Sequence, residues 1–310
     1  MPPILVLLGP TATGKSELAM SLAETFNGEI VNADALQVYR RLEVGTAKPA
    51  SEDRQRIPHH LVDILEPDEP FSAGQFARLA RTAIQDVHEA SRLPIIVGGS
   101  GLYLRALLEG LSPIPAIQSM TRDLLKERFE REGLDLLRQE LREVDPETEQ
   151  RLAAGDTQRV LRALEVWTET SRTLSSWQEE KTDEEPLEAL KVGLTLPRSL
   201  LYDRIAERAE AMMDGGWVEE VRHLLESGLT GSEPAFQAIG YRQLVEHLRG
   251  HTSLSQALSS VIVSTRQYAK RQLTWFRREA DVKWYGAEDS EIRARTIIAD
   301  LSPRLGLQED

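Results

Sequence analysis

The stretch Ile4-Leu5-Val6-Leu7-Leu8-Gly9-Pro10-Thr11-Ala12-Thr13-Gly14-Lys15-Ser16 decides the fold. Consecutive apolar residues from Ile4 to Leu8 predict a strand covered on both faces, as the strands of parallel sheets are. From Ser16 to Phe26 the apolar positions Leu18, Ala19, Leu22, Ala23 and Phe26 recur at helical spacing. Between strand and helix, Gly9-x4-Gly14-Lys15-Ser16 is the phosphate-loop pattern. Its backbone N–H groups converge on phosphate oxygens, Lys15 adds a point charge, the Ser16 hydroxyl can ligate Mg²⁺, and the helix N-terminus adds its dipole. By average composition the pattern arises by chance in about one chain in a hundred of this length. The buried strand before it and the helix after it supply the context that gives it meaning. Gly9, Pro10, Thr11, Ala12, Thr13, Gly14, Lys15 and Ser16 therefore bind a di- or triphosphate, the grip that ATP-binding loops use.

Outward from this unit, a second strand runs through Glu29 to Val31 and ends in Asn32-Ala33-Asp34. A weaker strand, Leu61 to Ile64, follows His59-His60. Ser72 is an N-cap for a helix reaching about Ser91, and Leu93 to Val97 is another buried strand that stops at Gly98-Gly99. Alternating strands and helices predict a doubly wound α/β core whose parallel sheet binds ligands at the carboxyl ends of its strands. From about Pro113 the pattern is helical only, over Thr121 to Glu143, Pro146 to Ala153 and Asp156 to about Trp177, before the acidic stretch Glu179 to Glu188. Lys191 to Leu196 returns to strand character. Residues 1–112 are thus the first part of a P-loop core and 113–190 a helical insertion. Residues 191–310 complete the core with mostly helices and a short strand at Val282 to Tyr285.

The 310 residues include 50 acidic and 37 basic side chains, a formal charge of −13, 41 % hydrophobic content and no cysteine. That is the composition of a globular chain rather than a disordered one. The absence of cysteine removes disulfides, thiolate metal sites and thiol nucleophiles, so any metal takes oxygen or histidine ligands. The start, Met1-Pro2-Pro3, has no basic leader, and the longest uncharged stretch, His251 to Thr265, is too polar to span a membrane. The expectation is a cytoplasmic monomer that neither enters nor crosses a membrane. The acidic balance argues against nucleic acid until the positions of the charges are considered.

Many phosphate-loop enzymes end a buried strand with a Mg²⁺-holding aspartate, yet Leu93 to Val97 ends in Gly98-Gly99-Ser100-Gly101. Asp34 lies instead at the end of the second strand. It suits a general base, an outer-sphere Mg²⁺ partner, or a simple cap of the following turn. Three glycines around Ser100 allow close approach of a ligand, or form a plain tight turn. His59 and His60 are adjacent, point to opposite faces of a strand and fit structural roles. Gln158 and Arg162, four apart, share one helix face opposite Val160, Leu161, Leu164 and Trp167, where they serve a polar ligand or solvent. From Val261 to Arg278 the chain carries Arg266, Lys270, Arg271, Arg277 and Arg278 and no acid, interleaved with Gln267, Tyr268, Gln272, Thr274 and Trp275. At 100° per residue the cations form a stripe. It fits single-stranded RNA recognition and equally a salt-bridged surface helix.

Taken together, these residues resemble the bacterial tRNA dimethylallyltransferases of the tRNA isopentenyltransferase family. The matching stretches are Gly9 to Ser16, Asn32 to Tyr39, Val44 to Pro49, Pro58 to Ile64, Val97 to Tyr103, Gln158 to Glu165, Ala238 to Gln243 and Thr265 to Trp275. The family more often has Ser where Ala35 stands and Thr where Ser16 and Ser100 stand, and its His-Pro-Asn is replaced here by Ala153-Ala154-Gly155. The missing cysteines exclude the C-terminal zinc finger of eukaryotic relatives.

The resemblance implies transfer of the dimethylallyl group of dimethylallyl diphosphate to the exocyclic amine of the adenine beside the anticodon, in tRNAs reading codons that begin with U. It implies that the phosphate loop cradles a leaving diphosphate with Mg²⁺ on Ser16, and that Asp34, Lys15 and Ser100 carry the chemistry, Asp34 as general base. The implied tRNA contacts are Asp34, Ala35, Leu36, Gln37, Ser100 and Arg122, then Gln158, Arg159, Val160, Leu161 and Arg162, then Gln237, Ala238, Ile239, Gly240, Tyr241 and Arg242.

Overall fold

A computed structural model describes residues 3–180, 184–286 and 289–305. The opening apolar run forms β1 (Leu5–Leu8), every residue of it buried. Its side chains alternate: Leu5 and Leu7 enter one core, Ile4, Val6 and Leu8 the other. The phosphate loop follows, then α1 (Lys15–Thr25), which buries Leu18, Ala19, Leu22 and Ala23 against the first of these cores. Next come β2 (Gly28–Asn32), α2 (Ser51–Arg56) and β3 (His59–His60). The helix α3 (Ala73–Glu89) starts where Ser72 predicts: Ser72 Oγ accepts from the Gln75 amide, and the Gln75 side chain accepts from the Ser72 amide. This reciprocal capping fixes the helix start, as such boxes do. The first part of the core ends with β4 (Leu93–Gly98) and α4 (Gly101–Leu108).

The strand expected at Leu61 to Ile64 is instead the pair His59–His60. Leu61 and Asp63 adopt left-handed backbone at φ 61° and 55°, so the chain leaves the sheet there. The Asp63 carboxylate holds that turn by pairing with Lys48 and Arg54. The histidines are structural, with His60 Nε2 2.6 Å from the Glu29 carboxylate and His59 Nδ1 2.7 Å from the Ile57 carbonyl.

The chain divides into two compact units, Met1–Leu108 with Leu187–Asp310, and Glu109–Pro186. The second contains α5 (Ser119–Glu132), α6 (Leu134–Val144), α7 (Pro146–Arg151), α8 (Thr157–Thr170) and α9 (Leu174–Glu179) around Leu125, Leu137, Leu141, Val160, Ala163 and Leu164. Two helices expected to be continuous are each broken. Gly133 at φ 80° separates α5 from α6, and Ser171 at φ 52° separates α8 from α9. Neither backbone conformation belongs to a helix interior. Part of the acidic stretch, residues 181–183, lies outside the described residues.

The chain then forms β5 (Leu190–Leu194), α10 (Arg198–Asp214), α11 (Trp217–Glu226), α12 (Tyr241–Leu248), α13 (Leu254–Phe276), β6 (Val282–Tyr285) and α14 (Ser290–Leu301). The six strands are parallel in the order β3-β2-β4-β1-β5-β6. A further core forms where Trp217, Val221, Phe236, Tyr241, Leu244 and Val261 pack on Val38, Tyr39 and Leu42. No helix among the described residues is long and apolar enough to cross a membrane.

Candidate functional site

The phosphate loop leaves β1 between β4 and β5, so it faces the carboxyl ends of three strands at once. Thr13 is fully buried and its hydroxyl donates to the Pro10 carbonyl, which stiffens the loop from within. The Lys15 ammonium donates to the Gly9 and Pro10 carbonyls at 2.9 and 2.8 Å. Burial pulls the Lys15 ammonium down to about 7, the neighbouring Arg208 charge pushes the same way, and Asp34 opposes both. An anion arriving here restores the full charge of Lys15.

A cavity of about 630 Å³ opens above the loop, walled by Thr11 to Ser16, Asn32, Asp34, Gln37, Arg208 and Tyr268 among others. A second cavity, of about 380 Å³, shares Thr11, Ala12, Asp34, Arg208 and Tyr268 with the first. Apart from Ser100 and Arg271 its remaining wall is largely apolar, with Leu36, Ile205, Met212, Trp217 and Ile239. A polar hollow above the glycine loop and a largely apolar hollow thus meet along Asp34.

Asp34 does cap a turn, because its Oδ1 accepts from the Leu36 amide at 2.8 Å. Its Oδ2 makes no hydrogen bond among the described residues, so the turn and an open carboxylate oxygen coexist. The Asp34 amide itself donates to Asn32 Oδ1 at 3.1 Å, fixing the carboxylate at the strand end. Tyr268 is pushed up to about 12 by burial and by the Asp34 charge, so it stays protonated beside that carboxylate.

Arg208 has no counterpart in the motif reading, and Gln272 entered it only as a polar residue interleaved with the basic stripe. Arg208 lies on α10, far from any motif, and reaches both cavities with no ion pair among the described residues. Gln272, 5 % exposed, accepts from the Thr11 amide at 2.9 Å and donates to the Gly99 carbonyl at 2.8 Å. It ties the phosphate loop to the glycine corner; a Cβ on Gly99 would lie 2.1 Å from its Nε2. Tyr268 and Gln272 therefore turn inward, four residues apart on one face of α13, rather than outward with the basic stripe.

Of the stripe, Arg266 donates to the Tyr202 carbonyl and stacks 5.0 Å above that ring. Lys270, Arg271, Arg277 and Arg278 are exposed and form no salt bridge among the described residues. The salt-bridged explanation of the stripe therefore fails for these four.

The remaining implied contacts fall in three places. Ala35, Leu36, Ser100, Ala238 and Ile239 line the second cavity. Gln37 lines the first and donates to the Thr46 and Ala47 carbonyls. Gly240 and Tyr241 lie behind the wall, with Tyr241 fully buried, while Gln237 and Arg242 are exposed. In the second unit Val160 is fully buried and Leu161 packs on the same core, so neither offers a side chain to a ligand. Gln158 and Arg159 are exposed, Arg162 is half-buried beside Glu165, and Arg122 is exposed on α5.

The IPP transferase family model matches residues 37–279. The chain belongs to this family. Among relatives of this IPP transferase family member, a tRNA dimethylallyltransferase of Syntrophobacter fumaroxidans is 44 % identical over 300 residues, covering 96 % of this chain and 87 % of the relative. The tRNA isopentenylpyrophosphate transferase of Bacillus halodurans superposes with a TM-score of 0.73 at 34 % identity, covering 99 % of this chain and 97 % of the other. A eukaryotic dimethylallyltransferase acting on tRNA superposes with a TM-score of 0.82 at 25 % identity, covering 99 % and 81 %. The chain is similar to these proteins along nearly its whole length, including the second unit.

For Mg²⁺, the residues present fit a cation carried mostly by its phosphate. Ser16 is exposed at the cavity rim, and among the described residues its hydroxyl makes no hydrogen bond and no group of three or more acidic or histidine side chains could hold a metal. Such sites suit Mg²⁺ held by one or two protein oxygens, substrate phosphates and water.

Proposed function

We propose that this family member transfers the dimethylallyl group of dimethylallyl diphosphate to the exocyclic N6 amine of the adenine 3′-adjacent to the anticodon, in tRNAs reading codons that begin with U. The observation that carries the reading is the meeting of two cavities at Asp34, one walled by the phosphate loop and one largely apolar.

In this reading the amides of Thr11 to Ser16 cradle the diphosphate. Lys15 and Arg208 face it from opposite elements and neutralise the charge that grows as the allylic C–O bond breaks. Charge that develops only in the transition state is what such groups stabilise best. Mg²⁺ on Ser16, when bound, would share that neutralisation. The N6 nitrogen attacks the allylic carbon, a C–N bond replaces the C–O bond, diphosphate leaves, and Asp34 Oδ2 takes the N6 proton. Ser100 and Tyr268 position the acceptor at the junction, and the adenine must leave its stack to arrive there. No phosphoryl group moves, which suits a phosphate loop whose neighbouring strand β4 ends in glycines.

For the tRNA itself, the proposal assigns Lys270, Arg271, Arg277 and Arg278, on and just past α13, to phosphates, with Arg122, Gln158, Arg159 and Arg162 of the second unit as further contacts. One chain carries every residue invoked, and the proposed form is a monomer acting on tRNA in the cytoplasm.

The test is incubation with labelled dimethylallyl diphosphate, Mg²⁺ and unmodified tRNA, with AMP as the parallel acceptor. Label on tRNA is expected. Label on AMP and none on tRNA would overturn the reading in favour of a prenyltransferase for free nucleotides.

A further inference from the structure

The first turn of α11 contains a carboxylate that no part of the proposed chemistry uses. Glu220 Oε2 accepts from the backbone amides of Glu43 and Val44, both at 2.7 Å. Its Oε1 accepts from the Gly45 amide at 3.3 Å and from the buried Tyr241 hydroxyl at 2.6 Å. Four donors from two segments, far apart in the chain, thus converge on one side chain.

Both segments lead directly into the second cavity. Gly45 and Thr46 form one part of its wall, and Ala238 and Ile239, immediately before Tyr241, form another. Between them stands the indole of Trp217, 2 % exposed. A Cβ on Gly45 would lie 2.0 Å from Trp217 Nε1, and one on Gly240 would lie 1.9 Å from its Cη2. The ring therefore sets the spacing between the two backbone segments, and only glycine permits so close an approach on either side. Trp217 alone would leave the segments free to slide along its faces. Hydrogen bonds fix position along those faces, and a carboxylate is the one side chain that accepts from all four donors without presenting a donor of its own.

We propose that Glu220 is a positioning residue for the acceptor, acting through the 43–46 and 238–241 segments to hold the wall of the second cavity in register with Asp34. The proposal rests on the reading of that cavity as the acceptor's. It assigns no contact between Glu220 and substrate. The phosphate loop, fixed by Thr13 and Gln272, does not depend on it.

Glu220→Gln is the informative change, because the amide keeps the size but turns a donor toward donor N–H groups. Misplacement of a reacting group by about 1 Å costs on the order of 10²-fold in rate, and a loss of that size is expected in kcat/KM for tRNA. Inhibition by inorganic diphosphate should stay within about threefold of wild type. Hydrogen exchange supplies a readout independent of turnover: amides of residues 43–48 and 236–241 should exchange faster in the variant while those of residues 9–16 stay unchanged. Tyr241→Phe, which removes one donor and keeps the carboxylate, should shift the same readouts in the same direction by less. Equal losses for tRNA and diphosphate, or exchange rising uniformly across the chain, would overturn the positioning role in favour of a general structural one, as would wild-type behaviour of Glu220→Gln. A wild-type protein that prenylates no tRNA would instead overturn the functional reading, and the exchange data would still decide whether Glu220 latches the wall.

Discussion

At the level of single residues, Asp34 and Lys15 give the sharpest expectations. Asp34→Ala should retain diphosphate binding and lose about 10²- to 10⁴-fold in rate, the range for removing a general base; a variant with wild-type turnover would exclude that role. Lys15 is held at about 7 when the site is empty of anions, chiefly by burial. The folded chain therefore binds fewer protons than the unfolded one between that value and the ordinary lysine value of 10.5, so the contribution of Lys15 to stability rises with pH across this window. A bound diphosphate reverses the shift. At pH 8, binding of dimethylallyl diphosphate should take up about one proton, read as heat that depends on the buffer's ionisation enthalpy and that Lys15→Met abolishes. Buffer-independent heat in the wild type would contradict the electrostatic account. Both residues were legible in the sequence, because each sits in or just after a local motif whose geometry is nearly invariant. Arg208 and Glu220 were not. Each acts across more than a hundred residues of chain, on segments that only the fold brings near.

At the level of elements, α13 carries two functions on two faces. Its inner face supplies Tyr268 and Gln272 to the cavities and the glycine corner; Lys270 on its outer face and Arg277 and Arg278 just past its end are exposed, and Arg271 is exposed at the rim of the second cavity. The stripe was visible in the sequence as cations without acids. The division was hidden, since glutamine and tyrosine are at home on either face of a half-buried helix. Arg266, which caps and stacks on Tyr202, belongs to the packing between α10 and α13. Lys270→Ala and Arg277→Ala should therefore each weaken tRNA binding and reduce the slope of log affinity against log salt by about one per lost phosphate contact. Arg266→Ala should lower thermal stability and leave the slope nearly unchanged. Equal slopes in all three variants and the wild type would return the helix to a purely structural role. The boundaries that sequence periodicity missed, at Gly133, Ser171 and Leu61, share one cause. In each the backbone turns left-handed, at Gly133, at Ser171, and at Leu61 with Asp63, and only at Gly133 does the residue type announce it.

For the whole molecule, a charge of −13 first suggested a protein that avoids nucleic acid. Net charge averages over faces, and the averaging conceals what matters. Residues 179–188 hold six acids and one base, while 261–278 hold five bases and no acid. An acidic remainder limits non-specific attraction to phosphates while the stripe and the phosphate loop keep theirs local. The α/β architecture was legible because buried parallel strands announce themselves as uninterrupted apolar runs. The second compact unit, Glu109–Pro186, begins and ends a few residues before the helical insertion expected over 113–190. In the proposed function these parts place one dimethylallyl group on one adenine of tRNA. Nuclease digestion of tRNA modified by the wild-type protein, followed by nucleoside analysis, tests it most directly. The account predicts label in N6-dimethylallyladenosine at the single position 3′ to the anticodon; label on another base, or scattered over many adenines, would contradict it.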